Sequence, residues 1–281
     1  MKILNYNKYP TISIILSTYN SVKWLEKVLW SYSNQTYLDF ELIIADDGST
    51  KDTSALIENF SSQVPFKVIH LWQEDKGFRK CKILNKAILN SNAEYIIMSD
   101  GDCIVRSDFV ETHKLKSEKG YFLSGGYFKL SLSISKIITK EDIENQNCFS
   151  TKWLLERGLK KNFKINKLNS RGLKQYLLNT VTPTKATWNG HNSSGWKSDI
   201  IDINGFNEKM KYGGEDREFG ERLLNKGIKS KQIRYSAICL HLDHSRSYIN
   251  DVDLTNNNNI RKETRNKNIV RTPYGLDRYK I

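Results

Sequence analysis

Short apolar runs alternate with helical patterns along about the first hundred residues of the chain. Between the runs, apolar residues recur at helical spacing, as at Trp24, Leu25, Val28 and Leu29. The runs that we predict to be strands cover residues 12–16, 41–45, 66–70 and 94–98. Alternating strands and helices are typical of an α/β fold, a mostly parallel sheet flanked by helices. Ligands of such sheets bind beyond the carboxyl ends of the strands.

The second half of the chain is less regular. Residues 130–185 combine a polar helical stretch at 141–159 with Lys- and Asn-rich connections, and we interpret them as a variable excursion. Strand and helix patterns return after Thr187. The stretch after Tyr248 is rich in Asn and charged residues, and we expect it to wrap the surface or to fray. The predicted division of the chain is 1–125, 126–250 and 251–281.

Two predicted strands end in acidic clusters. Asp46 and Asp47 follow the second strand, and Asp100 and Asp102 follow the fourth. Because the carboxyl ends of parallel strands share one edge of a sheet, both clusters are expected there. Two carboxylates one residue apart can bind Mn²⁺ or Mg²⁺ and so bridge a diphosphate, while Gly101 allows a close approach of the backbone. The alternative is an ordinary surface turn, because Asp-Gly-Asp is common turn composition.

The other strand ends predict a nucleotide pocket. A carboxylate such as Asp46 or Asp47 can accept a hydrogen bond from N3–H of uracil, and the alternative is a turn that caps the next helix. Thr18, Tyr19 and Asn20 follow the first strand and would complete the pocket, with Tyr19 near the base.

Arg79 stands at the end of a Gly-Phe-Arg sequence that precedes a predicted helix. Its guanidinium can hold a phosphate with several donors at once. The alternative is a solvated residue at the start of the helix.

Residues 212–216 place two glycines before two acids at a predicted helix N-terminus. We predict that Asp216 is the general base for an acceptor hydroxyl, kept ionised by the helix N-terminus. Glu215 would hold acceptor hydroxyls, and Tyr212 would stack on a sugar face next to Gly213 and Gly214. The alternative is that the acids only complement the helix dipole.

Two of the five histidines, His241 and His244, follow a strand-like run. His244 can supply a nitrogen ligand to a metal ion at Asp102 and leave positions open for phosphate oxygens. The alternative is a packed or solvated side chain, which is the commoner role of an isolated histidine.

Composition narrows the class of protein. The 281 residues carry a net charge of +13, which favours anionic partners such as phosphate-bearing substrates, an acidic membrane surface or nucleic acid. The four cysteines form no CxxC pair, which argues against a cysteine zinc site or a disulfide scaffold. Residues 1–7 lack the apolar core of a signal peptide, and no apolar run approaches a membrane span. We expect a cytoplasmic protein.

With these residues placed, the chain resembles the family-two, GT-A-fold glycosyltransferases in its first half. Its second half resembles the galactosyltransferase-type module of chondroitin-type polymerases and β-1,4-galactosyltransferases. The residues that carry the resemblance, in family order, are Ser-Thr-Tyr-Asn at 17–20, Ala-Asp-Asp-Gly-Ser at 45–49, Gly-Phe-Arg at 77–79, Ser-Asp-Gly-Asp-Cys at 99–103, Gly195-Trp196, Asn-Gly-Phe at 204–206, Tyr-Gly-Gly-Glu-Asp at 212–216 and His-Ser-Arg at 244–246.

The resemblance implies an inverting transfer from a UDP-sugar donor. Asp102 and His244 would bind the metal ion, with Asp100 on the ribose or on a water held by the metal, and Asp216 would be the base. Trp196 would belong to the acceptor site. Residues 1–125 would bind the nucleotide sugar, 126–250 would hold the acceptor and catalyse, and 251–281 would be a polar tail.

Two departures from the family pattern stand out. Tyr212 replaces a tryptophan that many relatives carry, which alters the predicted acceptor platform. Lys82, Leu84 and Asn85 replace an Ala-Arg-Asn element, so the phosphate contact of that helix is in question.

The leading hypothesis is transfer of a hexose or N-acetylhexosamine to a hydroxyl of a glycan or glycolipid acceptor, such as a surface polysaccharide or lipid-linked oligosaccharide. With a lipid-linked acceptor, the positive charge would help the enzyme bind the inner face of an anionic membrane. One alternative is a sugar nucleotidyltransferase, which would normally need a Gly-rich basic loop near the N-terminus. Another is a nucleic-acid-binding protein, but the basic residues are dispersed and no recognition motif is present, so we expect no nucleic-acid partner.

Overall fold

The computed structural model describes residues 10–245 and 250–279. The prediction on residues 1–7 and the Arg246 of the His-Ser-Arg motif lie outside the described residues. A seven-stranded sheet forms the centre, in the order β3-β2-β1-β4-β8-β6-β9. Its strands are β1 (Ile12–Thr18), β2 (Phe40–Asp46), β3 (Val68–Trp72), β4 (Tyr95–Asp100), β6 (Tyr121–Ser124), β8 (Ser193–Trp196) and β9 (Lys229–Gln232).

The pairing of the strands confirms the expected edge. Strands β1, β2, β3 and β4 are parallel, and Thr18 pairs with Asp46 while Ser17 pairs with Asp100. Strand β8 runs antiparallel to β4, so the loop that precedes β8 reaches the same edge. The ends of β1, β2 and β4 therefore meet where the acidic clusters begin. Strand β3 begins two residues later than predicted, because Phe66 packs instead against Phe40, with ring centroids 4.3 Å apart.

A second, three-stranded sheet joins distant parts of the chain. Its order is β5-β10-β7, with β5 (Cys103–Val105), β7 (Gly126–Lys129) and β10 (Ile238–His241). Strand β5 follows β4 after only two residues, and it pairs antiparallel with β10 so that Cys103 lies opposite His241. This pairing brings the end of β4 to the histidines.

Helices cover both faces of the main sheet. The helices of the first half are α1 (Val22–Ser33), α2 (Lys51–Ser61), α3 (Lys80–Asn90) and α4 (Phe109–Lys116), and those after β8 are α10 (Lys197–Asp202), α11 (Glu215–Asn225) and α12 (Asp251–Asn266). The side chains of β1 alternate between two hydrophobic cores. Leu16 faces the core that includes Ile238, and Ile15 faces the core that includes Phe219. All four cysteines are buried free thiols.

Residues 130–185 form short helices rather than the single polar helix predicted over 141–159. Gln146 has a left-handed backbone, φ 58°, which ends the first piece, and the Ser150 side chain caps the next. The pieces are α5 (Leu132–Ile137), α6 (Lys140–Glu144), α7 (Thr151–Glu156), α8 (Asn166–Asn169) and α9 (Gly172–Val181), with 3-10 turns at Asn147–Phe149 and Phe163–Ile165.

The polar C-terminal stretch does not fray within the described residues. Helix α12 packs against α11, and buried Asn257 donates hydrogen bonds to the carbonyls of residues 211, 212 and 213. A 3-10 turn, Leu276–Tyr279, follows and buries Leu276. Hydrogen bonds from side-chain amides such as that of Asn257 attach α12 to the protein. A search for apolar periodicity in the sequence does not detect such contacts. In the described ranges, 10–245 and 250–279, every helix is too short or too polar to cross a membrane.

Candidate active site

Asp102, His241 and His244 form the one group of potential metal ligands found among the described residues. Their ligand atoms all lie within 4.8 Å of one another. His244 Nε2 is 2.8 Å and His241 Nε2 is 3.7 Å from Asp102 Oδ2. The backbone fixes this geometry, because Leu242 N donates to Asp102 O at 2.9 Å beside the pairing of β5 with β10.

The chemistry of this group fits a divalent cation. His244 Nδ1 lies 2.8 Å from the Ser245 carbonyl, which can only accept, so Nδ1 carries the proton. In the neutral imidazole, the Nε2 lone pair then faces the Asp102 carboxylate. Two electron-rich atoms at 2.8 Å need a shared cation, either a proton or a metal ion. One carboxylate and two imidazoles suit Mn²⁺ and leave further positions for phosphate oxygens.

His241 is a candidate ligand that sequence reasoning did not select. Its ring is nearly parallel to that of His244, at 14° and 5.7 Å between centroids. Its Nδ1 is buried and has no hydrogen-bond partner within the part of the chain that the structure describes. The signal available in the sequence was the three-residue spacing of the two histidines after a strand.

Electrostatics at Asp102 favour the ionised carboxylate. Burial raises the pKa of the Asp102 carboxyl, but the hydrogen bond with His244 and the charges of both histidines outweigh it and lower the pKa to about 2. The carboxylate is therefore ionised at neutral pH.

Asp100 stands beside the metal-ligand group but outside it. Its Oδ1 accepts hydrogen bonds from Ser17 Oγ at 2.6 Å and from Lys80 Nζ at 2.7 Å. Burial raises the pKa of the Asp100 carboxyl, but the Lys80 ammonium outweighs this and holds it below its usual value. Its role as a metal or ribose contact stays a prediction. Gly101 packs tightly against β1, because a Cβ there would lie 3.0 Å from the Ser17 carbonyl oxygen.

Asp216 and Glu215 lie at the start of α11, across the loop before β8 from Asp100. Gly190 N in that loop donates to Asp216 Oδ2 at 3.2 Å. A Cβ on Gly190 would lie 3.5 Å from Lys80 Nζ and 3.7 Å from Asp100 Oδ2. The structure thus brings the predicted base Asp216, the predicted donor carboxylate Asp100 and the half-buried Lys80 around one glycine.

The two acids at the start of α11 are harder to ionise than the sequence suggested. Burial raises the pKa of Asp216, although the Arg217 and Gly190 amides oppose the shift. Burial, together with the charge of Asp216, raises the pKa of Glu215 to about 7. The amides at the helix start favour the ionised form of Asp216, as expected, but desolvation outweighs them in the direction of the pKa shift. That Asp216 is ionised when it acts as the base stays a prediction.

Gly213 and Gly214 shape the loop that leads into α11. Their φ angles are +110° and +91°, a left-handed region that favours glycine. A Cβ on Gly213 would lie 2.2 Å from a methyl of Leu254 in α12, so the loop is pressed against that helix rather than being a flexible joint. Tyr212 meets Phe78 edge to face, with centroids 6.0 Å apart. Contact of these residues with an acceptor remains a prediction.

A buried ion pair fixes α11 and hence Asp216. Arg222 contacts Glu218 with two hydrogen bonds, at 2.8 and 2.9 Å, and donates to the Ile203 carbonyl at 2.6 Å. Phe219 of the same helix stacks on Phe206 at 4.3 Å. Asn85 bonds both the amide and the carbonyl of Phe206, at 2.7 and 2.9 Å, so its role in the structure is to tie α3 to this loop.

The two acids after β2 differ in their surroundings. Asp46 is fully buried, with Oδ1 accepting from the amides of Gly48 and Ser49 and Oδ2 lying 3.0 Å from His70 Nε2. Burial raises the pKa of Asp47, although hydrogen bonds from Gln73 and the Arg79 amide oppose the shift. Asp46 therefore builds the turn, and Asp47 ties the turn to Gln73 and Arg79. Contact of either acid with a nucleotide base stays a prediction.

The segment after β1 lies beside this turn. Thr18 is buried, and its Oγ1 has no hydrogen-bond partner in the described ranges. Tyr19 is 49% exposed and donates from its hydroxyl to Asp75 at 2.8 Å. Asn20 has a left-handed φ of 44° and accepts from the Thr50 amide at 3.0 Å. The side chains of residues 18–20 therefore lie at the expected edge, and their donor contacts stay predictions.

Arg79 precedes α3 and contacts both the turn that contains Asp47 and the loop that precedes Arg79 itself. Its amide donates to Asp47 at 2.7 Å, and its guanidinium contacts the Glu74 carbonyl. Its Nε is buried without a partner in the described part of the chain. A cavity of about 300 Å³ lies beside it, lined by Arg79, Lys82, Glu208, Arg278 and Tyr279. The phosphate contact of Arg79 stays a prediction.

Trp196 lies away from the site, and its predicted acceptor role is corrected. It pairs with Tyr95 at the opposite end of β4 from Asp100, and the two rings meet edge to face at 5.0 Å. Its Nε1 donates to the Glu118 carbonyl at 3.0 Å. Because β8 runs antiparallel, the start of that strand reaches the site and its end does not.

Comparison with protein families decides the class. A model described as glycosyl transferase family 2 matches residues 13–153, half of the chain. The chain belongs to glycosyltransferase family 2. A second family model, described as the N-terminal domain of galactosyltransferase, matches residues 183–245 of the same chain. Both predicted resemblances are confirmed, and the two matched regions contain the ends of β1, β2 and β4 and the start of α11.

Individual relatives are distant. The chondroitin synthase of Pasteurella multocida is 26% identical over 245 residues, 79% of this chain and 24% of the relative. The chain thus spans about a quarter of that protein. Residues 1–349 of S. aureus TarS, in complex with UDP-GlcNAc, are similar in structure, with a TM-score of 0.61 at 16% identity. The match covers 95% of this chain and 69% of that TarS fragment.

A second solved structure is similar over much of the chain. The mannosyltransferase PcManGT from Pyrobaculum calidifontis, in complex with GDP-Man and Mn²⁺, gives a TM-score of 0.56 at 16% identity, covering 85% of this chain and 59% of that one. At this level of identity the likenesses show the fold. They confirm the predicted α/β glycosyltransferase fold with its mostly parallel sheet.

Proposed function

We propose that this protein is an inverting glycosyltransferase that moves a hexose or N-acetylhexosamine from a UDP-sugar to a hydroxyl of a glycan acceptor, with the help of a divalent metal ion. The observation that carries the proposal is the arrangement around Gly190. A potential metal-ligand group at Asp102 adjoins Asp100, and Asp100 lies across Gly190 from the half-buried carboxylate of Asp216.

Asp216 accepts the proton of the acceptor hydroxyl. The hydroxyl oxygen attacks the anomeric carbon of the donor sugar, and a glycosidic bond forms as the bond from that carbon to the diphosphate oxygen breaks. UDP leaves with the electron pair of the broken bond. A base with a raised pKa suits this proton transfer, because its conjugate acid holds the proton more firmly. Glu215 orients acceptor hydroxyls beside the base.

Asp102, His241 and His244 would hold the metal ion, and Mn²⁺ or Mg²⁺ bound there would neutralise the charge that develops on the leaving diphosphate. Lys80, held against Asp100, adds a fixed positive charge on the same side. Preorganised charge of this kind needs no rearrangement during the reaction, which is a large source of rate enhancement.

The donor and acceptor classes rest on different support. The UDP-GlcNAc in the TarS structure and the GDP-Man and Mn²⁺ in the PcManGT structure support a nucleotide-sugar donor and a metal. The similarity to a chondroitin synthase supports a polysaccharide acceptor, and a lipid-linked oligosaccharide is the second form that we propose. The net charge of +13 supports work at the inner, anionic face of a membrane.

Product analysis tests the reaction class. Purified protein, Mn²⁺ and a panel of UDP-hexoses and UDP-N-acetylhexosamines are incubated with a panel of oligosaccharides. We expect UDP and an elongated glycan whose new linkage has the opposite anomeric configuration, measured by proton NMR. Release of pyrophosphate would identify a nucleotidyltransferase and refute the proposal, and retention of configuration would refute inversion.

A further inference from the structure

Helix α9 has its apolar side chains on the outside. None of its ten residues, Gly172–Val181, is buried. Leu173, Tyr176, Leu177 and Val181 recur at helical spacing on one face and are 73%, 67%, 48% and 65% exposed. We call these four side chains the α9 face.

Polar side chains attach the opposite side of α9 to the protein. Gln175 donates to the Tyr235 carbonyl at 3.0 Å, and Asn179 donates to Ser236 Oγ at 2.8 Å while accepting from the Tyr235 amide at 3.0 Å. A helix on the surface of a globular protein normally turns its apolar face inwards. Here the amides face inwards and the apolar residues face outwards, which suits an apolar partner beyond the protein surface.

The sequence segment that contains α9 has basic residues and no acidic ones. No Asp or Glu occurs between Glu156 and Asp199. The basic side chains of the segment that carries α9 are Lys160, Lys161, Lys164, Lys167, Arg171, Lys174 and Lys185. Phe163, 72% exposed, stands among the first of them. Lysines around exposed leucine and aromatic side chains are the composition of helices that lie in the interface of an anionic membrane.

This segment also borders the candidate active site. Lys167 Nζ donates to the Tyr127 carbonyl at 3.1 Å, and the Tyr127 ring lies 6.0 Å from the His241 ring. A surface that binds a membrane here would hold the metal-ligand group close to the lipid headgroups.

We propose that the α9 face and its flanking lysines form a docking surface for an anionic lipid bilayer. The leucines and Tyr176 enter the boundary between headgroups and acyl chains, and the lysines contact the anionic headgroups. The proposed function includes a membrane contact without saying which surface makes it. This proposal assigns that contact to α9. It does not depend on sugar transfer and is tested separately.

The test is co-sedimentation of the full chain with vesicles of phosphatidylcholine, with and without phosphatidylglycerol. One variant combines Leu173→Ser, Tyr176→Ser and Leu177→Ser. Its matched control combines Leu115→Ser, Leu132→Ser and Val252→Ser, which alter side chains that are 77%, 43% and 67% exposed elsewhere. A charge variant combines Lys160→Gln, Lys161→Gln and Lys164→Gln. Circular dichroism and thermal unfolding check that each variant is folded.

We expect the wild type and the control to bind anionic vesicles and not pure phosphatidylcholine. The α9 variant should bind about tenfold or more weakly, and the charge variant should bind weakly with a smaller salt dependence. Wild type that fails to bind anionic vesicles, or an α9 variant that binds as well as the control, would overturn the proposal. If the wild type is a dimer, the α9 variant is a monomer and both bind vesicles equally, the α9 face is an interface with a second copy of the chain. That result would also overturn the proposal.

Discussion

Lys80 Nζ lies 2.7 Å from Asp100 Oδ1, and this ion pair joins the start of α3 to the end of β4. The lysine also faces the two acids of α11. Burial lowers the pKa of Lys80, but the charges of Asp100, Glu215 and Asp216 outweigh it and raise the pKa above its ordinary value. One ammonium therefore balances carboxylates from both matched family regions, which explains how these acids can lie close together.

Removal of this charge should weaken both the fold and the activity. Lys80→Met leaves Asp100 without its cation, and with the Lys80 side chain 21% exposed we expect a loss of about 1–3 kcal/mol in the free energy of unfolding. The pKa of Asp100 and Asp216 should rise, so that the pH at which activity begins moves upwards. Urea unfolding and pH profiles of UDP release measure both effects. Lys86→Met in the same helix is the control, and equal effects of the two variants would contradict the account.

Glu215 predicts a pH dependence of stability. Its pKa is about 7 when folded, against an ordinary value of 4.5. Between these values the folded chain binds more protons than the unfolded one, so this carboxyl contributes a loss of stability as the pH rises from about 4.5 to 7. Glu215→Gln, which keeps an oxygen for the Gly213 amide, should remove that loss and raise stability at pH 8 by about 1–3 kcal/mol.

Unfolding midpoints at pH 5 and pH 8 check this prediction. The difference in stability between Glu215→Gln and wild type should be larger at pH 8. An equal difference at both values would show that the pKa of Glu215 is not raised.

Asp216→Asn should separate binding from transfer. The amide keeps an oxygen for the Gly190 amide but cannot accept the hydroxyl proton. We expect the transfer rate to fall by about 10²–10⁴, with the donor dissociation constant changed less than threefold, roughly. Single-turnover transfer and donor titration measure the two quantities. Equal losses in binding and transfer would mean that Asp216 holds the donor instead.

Asn257 predicts that the C-terminal helix supports the catalytic loop. Asn257→Ala leaves the carbonyls of residues 211, 212 and 213 without this donor, and we expect a cost of about 1–3 kcal/mol together with slower transfer. Asn258→Ala, at the exposed neighbouring position, is the control and should match wild type. An Asn257→Ala protein with unchanged stability would contradict this role.

The sequence predicted the parts of the fold that depend on apolar periodicity. Strands β1, β2 and β4 and helix α11 lie close to where the pattern put them, and the meeting of Asp46 with Thr18 follows from parallel pairing. Helix α12 was not foreseen, because buried amides such as Asn257 attach it and these look like solvated residues in a sequence.

The candidate active site, like the fold, was predicted from the sequence in part. Strand ends identified the neighbourhood of Asp100 and Asp102, because position along a strand fixes the edge. Asp216 was selected from two glycines and two acids at a predicted helix start. Lys80 was missed, since its partners come from distant segments and a lysine after Arg79 resembles an ordinary helix start. Trp196 was wrongly assigned to the acceptor site, because a sequence motif does not show the direction of a strand. Strand β8 is antiparallel to β4, so its C-terminal end, where Trp196 lies, is far from the site.

The metal-ligand group carries the central claim, and Mn²⁺-dependent UDP release tests it most directly. Wild type, Asp102→Ala and His241→Ala are compared across a Mn²⁺ titration, with Asp243→Asn as the neighbouring control, since Asp243 pairs with Lys129 outside the group. The account predicts saturable Mn²⁺ dependence in wild type and control, a loss of about 10²-fold or more in Asp102→Ala, and Mn²⁺ affinity about tenfold weaker in His241→Ala. UDP release that is independent of Mn²⁺, or equal in Asp102→Ala and wild type, would contradict it.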